Sequence, residues 1–310
     1  MSTEPDLSVD FAGLQLANPV FTASGTCGYA DELARFMDIN ALGGFITKSI
    51  TLRPKGGCAV PRVVETDSGM LNAIGLANIG IERFIKEKLP IIQRLSIAVF
   101  VNVAGETIKE YVAVGERLAE LKGIAGLELN VSCPNVERGG IAFGKDPHLL
   151  EQLTKQVKKA APGKVIMVKL TPAVTDIAVM ARAAVQGGAD ALSLINTFMA
   201  MVVDIEKRRP VLANRTGGLS GPAIKPMAVY LVNRVYEQVA RESKVPILGM
   251  GGIKTGSDAV EFIVAGATAV AVGTETFIEP DCALKVINDI RRYCVRHNVH
   301  RVQELVGCLQ

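Results

Sequence analysis

The stretch "LELNVSCPNVERGG" (residues 127–140) places a cysteine where a strand opens into a loop. Leu127, Leu129 and Val131 alternate with polar or charged neighbours, the pattern of a half-buried strand. The chain then leaves the sheet through Ser132, Cys133, Pro134 and Asn135. A structural cysteine belongs inside the apolar run. A thiol in a polar loop can act as a general base when its surroundings make the thiolate accessible. The usual base is missing, because none of the three histidines falls at a strand end. His148 follows a loop, and His297 and His300 lie near the C-terminus. Cys294 reads as a helix-face residue and Cys308 as a tail residue.

Other polar residues recur at the ends of apolar runs: Ser24, Lys48 with Ser49, Asn102, Asn130, Lys169, and Asn196 with Thr197. Each costs free energy to bury, so a series of them indicates a ligand. The amides of Asn72, Asn102, Asn130, Asn135 and Asn196 suit a planar ligand with imide-like edges, as a flavin or a pyrimidine has. Lys48 and Lys169 place positive charge beside it, fitting a carboxylate or an anionic reduced flavin. A Schiff-base role for Lys169 is the alternative, although aldolase chemistry does not ask for so many amides. One glycine pair, Gly251-Gly252 in "GMGGIKTGSDA", and the Gly273-Thr274 step in "AVGTETF" offer bare N–H groups to a phosphate.

The elements that must position these residues are short apolar runs at 19–25, 43–50, 97–105, 126–134, 164–172, 191–198, 245–253 and 269–277. Amphipathic segments separate them. "DPHLLEQLTKQVKKAAPG" opens with an Asp cap and a Pro and closes at Gly163. Strand and helix alternating eight times predict parallel strands and a (β/α)8 barrel, with a doubly wound open sheet as the runner-up. The polar strand ends then share one mouth. "LSVDFAGLQLANP" predicts an N-terminal hairpin turning at Ala12-Gly13. Two long connections, 51–80 and 199–222, lack helical patterns and read as loops that bind or cover a ligand.

The 310 residues fit one barrel domain spanning 1–310, and 49% hydrophobic content supports a large core. A net charge of +3 and the absence of Trp argue against nucleic acid. The acidic, polar start has no signal-peptide pattern, and no apolar stretch reaches the ~18 residues of a membrane span. The six cysteines form no C-x-x-C pair, so no metal or iron–sulfur site is expected, and reduced thiols point to the cytoplasm. No G-x-G-x-x-G follows a strand, so a dinucleotide site is not expected either.

"NVSCPN" (130–135), "NAIGLAN" (72–78), "TGGLSGPAIKP" (216–226) and "GMGGI" (249–253) together resemble the dihydroorotate dehydrogenase family, over nearly the whole chain. The resemblance implies a flavin-dependent α/β barrel that oxidises (S)-dihydroorotate to orotate in pyrimidine (UMP) biosynthesis. It implies FMN contacts from Ser24, Lys48, Ser49, Asn102, Asn130, Lys169, Ile195, Gly221, Gly251, Gly252, Gly273 and Thr274. It implies substrate contacts from Lys48, Asn72, Ala73, Ile74, Gly75, Leu76, Asn130, Asn135, Asn196 and Thr197, with Cys133 as the base.

"TASGTCGYADE" and "VLANRTGGLSGPAIKP" resemble the class 1B catalytic subunit. That class pairs with an electron-transfer subunit carrying FAD and a [2Fe-2S] cluster, reduces NAD, and forms a heterotetramer built on a dimer of the catalytic chain. The membrane-associated class has a serine for the cysteine and an N-terminal extension, neither of which is present here. "GGCAVPR" (56–62) departs from the proline-rich run of relatives, which affects the local loop shape. A homodimeric, fumarate-reducing class 1A enzyme and a flavin barrel acting on another pyrimidine remain alternatives. A non-enzymatic phosphate-binding barrel would need no thiol or lysines at its mouth.

Overall fold

The computed structural model describes residues 4–132, 134–135 and 141–310. Eight parallel strands close into a barrel in chain order. They are β1 (Val20–Thr22), β2 (Gly44–Ile46), β3 (Ala98–Val103), β4 (Gly126–Asn130), β5 (Val165–Leu170), β6 (Ala191–Leu194), β7 (Ile247–Met250) and β8 (Ala269–Val272). Each lies within one of the eight apolar runs. Parallel strands need crossovers, and a sheet closed on itself has no exposed edge.

Helices on the outer face supply most crossovers. Ile108–Ala119, Pro147–Ala160, Ile177–Gln186, Lys225–Val235, Gly256–Val264 and Cys282–Arg296 follow β3 to β8 in turn. Several start at side-chain caps, among them the Asp146 cap expected from the sequence. Thr107 accepts from the Glu110 N–H, Asp146 from those of His148 and Leu149, and Asp176 from that of Ala178. The expectation of eight full strand–helix units is corrected at the first crossover. There the chain makes only two short 3₁₀ turns, Leu33–Arg35 and Ile39–Ala41. Gly25, Gly28 and Ala30 all have positive φ in this segment, and that breaks any longer helix.

The hairpin Val9–Phe11/Leu14–Leu16 turns through Ala12 (φ 55°) and Gly13 (φ 82°), the left-handed pair a tight two-residue turn requires. It packs Phe11 against Phe21 and Phe100, with ring centroids 5.8 and 6.3 Å away. Space for these rings comes from Gly44 and Gly126. A Cβ at Gly44 would come within 2.0 Å of the Phe21 ring, and one at Gly126 within 2.5 Å of Phe100. This aromatic group fills the barrel at the N-terminal end of the strands.

The long connections are corrected more substantially. They are not plain loops: Val63–Thr66 and Gly69–Asn72 from the first join Phe198–Ala200 and Gly217–Ser220 around the second. Together they form a four-stranded antiparallel sheet. A second small hairpin pairs Val203–Asp204 with Arg209–Pro210. Local patterning does not reveal this sheet, because its central pairing joins Asn72 to Gly218.

Candidate active site

Side chains alternate along a strand, so the register of the barrel fixes which ones point inward. Phe100, Gly126 and Val165 are aligned across β3 to β5 at one level, and Asn102, Glu128 and Met167 at the next. Asn130 and Lys169 are aligned at the level above. Thus the inward series Phe100, Asn102 on β3 and Val165, Met167, Lys169 on β5 change from apolar to polar toward the C-terminal ends, and β4 adds Glu128 and Asn130. The reading of β4 as half-buried is corrected here: every residue from Gly126 to Leu129 is buried. Leu127 and Leu129 face the helical layer, and the polar partners of the alternation face the barrel interior rather than water.

Above this layer lies a cavity of about 280 Å³. Of the residues singled out from the sequence, Ser24, Lys48, Ser49, Asn130, Lys169, Ile195, Gly221, Gly251, Gly252, Gly273 and Thr274 line it. So do Asn72, Ile74, Leu76, Asn196 and Thr197. The small antiparallel sheet contributes Val63, Met70 and Ser220 to the wall. Sequence reasoning missed these, because it did not foresee the sheet. Ala73 and Gly75 do not line the cavity. The Ala73 N–H donates to the Arg62 carbonyl, and Gly75 packs so closely on Cys58 that a Cβ would lie 2.6 Å from its sulfur. Cys133 lies outside the described residues, as does the side chain of Asn135.

Asn102 sits beneath the cavity, fully buried, and does not line it. Its Nδ2 donates to Glu128 Oε2 (2.5 Å) and Ser24 Oγ (3.2 Å), and its Oδ1 accepts from Ser49 Oγ (2.5 Å). Lys169 Nζ donates to Ser24 Oγ (3.1 Å) and stands 4.0 Å from Glu128 Oε2. Glu128 Oε1 accepts from Ser193 Oγ (2.8 Å). The sequence reading omitted Glu128 and Ser193. The available signal was spacing: Glu128 is two residues before Asn130 on one strand and therefore shares its face.

The opposite wall is built from backbone. Gly221, Gly251 and Gly252 have φ of 96°, 134° and 81°, which side chains rarely adopt. A Cβ at Gly252 would also lie 2.7 Å from the Gly221 carbonyl oxygen, and one at Gly221 2.7 Å from Gly69 Cα. Among the described residues the N–H groups of Gly251, Gly252 and Gly273 meet no acceptor. Unpaired donors facing a cavity suit an anion. The neighbouring helix start does not take that role. Thr255 and Asp258 form a capping box there, and Asp258 also binds Lys225 Nζ at 2.7 Å. The helix thus carries its own carboxylate, and the free donors are those of the glycine loops.

At the mouth, the Tyr111 hydroxyl donates to the Asn130 carbonyl (2.5 Å), and Asn196 Nδ2 donates to Ser132 Oγ (2.7 Å). The chain leaving β4 is therefore tied to the rim on both sides of the strand end. Among the described residues no carboxylate pairs with Lys48, although the lysine lines the cavity. Two nearby thiols are unsuited to act as bases. Burial pushes the Cys27 thiol up, and it pushes Cys282 up to about 12.

Residues 6–293 match the family profile described as "Dihydroorotate dehydrogenase". The chain belongs to the dihydroorotate dehydrogenase family. It is 51% identical over 306 residues to the "Dihydroorotate dehydrogenase B (NAD(+)), catalytic subunit" of Geobacter sp. (strain M21), covering 99% of both chains. The protein of that name from Thermoanaerobacter sp. (strain X514) is 48% identical over 305 residues, covering 98% of this chain and 99% of the relative. A solved structure, "Crystal structure of DHODH in complex with ferulenol from Eimeria tenella", shares the fold. Its TM-score is 0.80 at 24% identity, over 98% of this chain and 88% of that one. Family membership implies a flavin, and the cavity fits one: bare donors for a phosphate on one wall, and amides, hydroxyls and lysines for a heterocycle on the other. No helix among the described residues is long and apolar enough to cross a membrane.

Proposed function

We propose that the chain is the catalytic subunit of an NAD-linked dihydroorotate dehydrogenase of class 1B, oxidising (S)-dihydroorotate to orotate in pyrimidine biosynthesis. The observation that carries this is the near-complete, 51% identical match to catalytic subunits of that name. The homodimeric, fumarate-reducing alternative lacks comparable support.

FMN is the flavin this cavity best accommodates, with its phosphate against Gly251, Gly252, Gly273 and Thr274. Bound FMN supplies the acceptor for the hydride that leaves C6 of the substrate. Lys48, which has no acid partner among the described residues, holds the substrate carboxylate. Asn72, Asn130, Asn135 and Asn196 orient the ring through its amide edges, while Ile74 and Leu76 shield it from water. Cys133 removes the C5 proton, and Pro134 limits the freedom of the loop that carries the thiol. Electrons leave through a partner subunit with FAD and a [2Fe-2S] cluster, in a cytoplasmic heterotetramer of two catalytic and two electron-transfer subunits.

Anaerobic absorption spectra of the purified chain test substrate and cofactor together. The expected result is a yellow protein that bleaches on addition of dihydroorotate; a colourless protein, or one that stays yellow, overturns the reading. In Cys133→Ala, FMN and orotate should still bind while bleaching slows by ~10²–10⁴. Turnover with an artificial dye but almost none with NAD is expected of the isolated chain. Brisk NAD reduction would remove the need for a partner, and brisk fumarate reduction would favour the homodimeric class.

A further inference from the structure

We propose that Glu128, which the cavity does not touch, is the positioning residue that sets the charge and the hydrogen-bond polarity of the flavin-facing wall. This rests on the FMN reading above. Glu128 is fully buried in the barrel interior, and its carboxylate has three neighbours: Asn102, Ser193 and Lys169. A carboxylate only accepts hydrogen bonds, so the Asn102 amide must turn its nitrogen toward Glu128. That choice propagates. Both Asn102 Nδ2 protons are then used, on Glu128 and on Ser24 Oγ, and Oδ1 is left to accept from Ser49.

The two serines therefore face the cavity with opposite polarity. Ser24 Oγ already accepts from Asn102 and Lys169, so its own proton is free to donate into the cavity. Ser49 has given its proton to Asn102, so it presents lone pairs. Both serines line the cavity. The result is a donor at Ser24, an acceptor at Ser49 and a cation at Lys169. A flavin's dione edge carries both acceptors and a donor and is complementary to such a set. A carboxamide at position 128 would bring its own donors into the network and leave it without a forced orientation.

Glu128 also offsets the charge of Lys169. Both are almost wholly buried, and unpaired buried charge is strongly unfavourable. With the carboxylate 4.0 Å away, Lys169 presents a partly neutralised cation to the ligand. Without it, the full positive charge would favour the more electron-rich reduced flavin.

The test is the midpoint potential of bound FMN, measured by anaerobic dye-coupled titration in the wild type, Glu128→Gln, Lys169→Met and the double variant. Glu128→Gln is expected to favour reduced over oxidised FMN at least tenfold, a rise of about 30 mV for a two-electron couple. Lys169→Met should lower the potential, and the double variant should lie between the two. An unchanged potential in Glu128→Gln, or shifts of the same sign in both single variants, overturns the proposal. If Glu128→Gln does not fold, the double variant, free of an unpaired buried charge, is expected to fold and bind FMN. Its failure to fold where Lys169→Met succeeds also overturns the proposal. A wild-type chain without FMN would instead refute the cofactor reading and leave Glu128 with no flavin to tune.

Discussion

The two ends of the barrel interior are made by the same strands and differ completely in chemistry. At the N-terminal end Phe100 packs edge to face on Phe11 and Phe21, with glycines at 44 and 126 where side chains would collide. One level up, β3 and β4 place Asn102 and Glu128 inside, and above them Asn130 and Lys169 are aligned. The period of two is unbroken through this change. Burial alone therefore does not separate a core from a site, since Phe100 and Glu128 are equally inaccessible. What separates them is partner chemistry. The lower end removes apolar area from water, and the upper end keeps polar atoms buried only by bonding each to another.

The sharpest way to break this comparison is at the lower end. Phe100→Ala should destabilise the protein by ~3–5 kcal/mol, the cost of deleting a buried aromatic ring from a packed core. Chemical denaturation checks the magnitude. FMN affinity of the folded fraction should change little, because Phe100 lies below the cavity and does not line it. A variant of normal stability with lost FMN would mean that the two ends are not functionally distinct.

The upper end should respond the opposite way. Gly252→Asp adds a side chain where φ is 81° and a Cβ would press on the Gly221 carbonyl, and it adds negative charge beside the free N–H groups. FMN affinity should fall about a hundredfold, or ~2.7 kcal/mol, as read by fluorescence titration of the flavin. Full flavin occupancy in this variant would show that the phosphate lies elsewhere.

The barrel frame was legible in the sequence because it depends on local pattern. β-branched runs gave all eight strands, and Ala12-Gly13 gave the hairpin turn. The polar part of the cavity lining was legible too, Ser24, Lys48, Ser49, Asn130, Lys169, Asn196 and Thr197 standing out as polar interruptions at strand ends, whereas Ile74, Leu76, Ile195 and Gly221 came only from the family resemblance. The rest depends on pairings between distant parts of the chain. The sheet over the cavity joins Asn72 to Gly218, and no window of sequence contains both. Glu128 went unremarked because the alternation around it reads as a half-buried strand, which normally puts charge outward. In a barrel clad by helices the relation inverts, and the charged parity points in. Asn102 was recognised as a polar strand end, but its bonds to Ser24 and Ser49 could not be read from local pattern.

The smallest expected effect lies at the border of the upper end, where the helix Gly256–Val264 begins beside the glycine loop. Asp258 caps this helix, accepting from the Lys254 and Thr255 N–H groups, and pairs with Lys225. Burial raises its pKa, but the Lys225 bond and the backbone donors outweigh that and hold it below the ordinary value of 3.8. A depressed carboxylate contributes stability above its unfolded pKa and loses it as pH falls through the folded value. Asp258→Asn should therefore cost about 1 kcal/mol at neutral pH, the scale of a charge at a helix N-terminus. Below the ordinary carboxylate pKa the gap should close, because the wild-type residue becomes protonated as well. Melting curves at pH 7 and at progressively lower pH would show the two proteins converge. A constant gap at every pH would mean that the deficit comes from lost hydrogen-bond geometry and not from charge. FMN affinity is expected to stay near wild type, since the proposed phosphate contacts are on the glycine loops and the helix start is already occupied by its own cap.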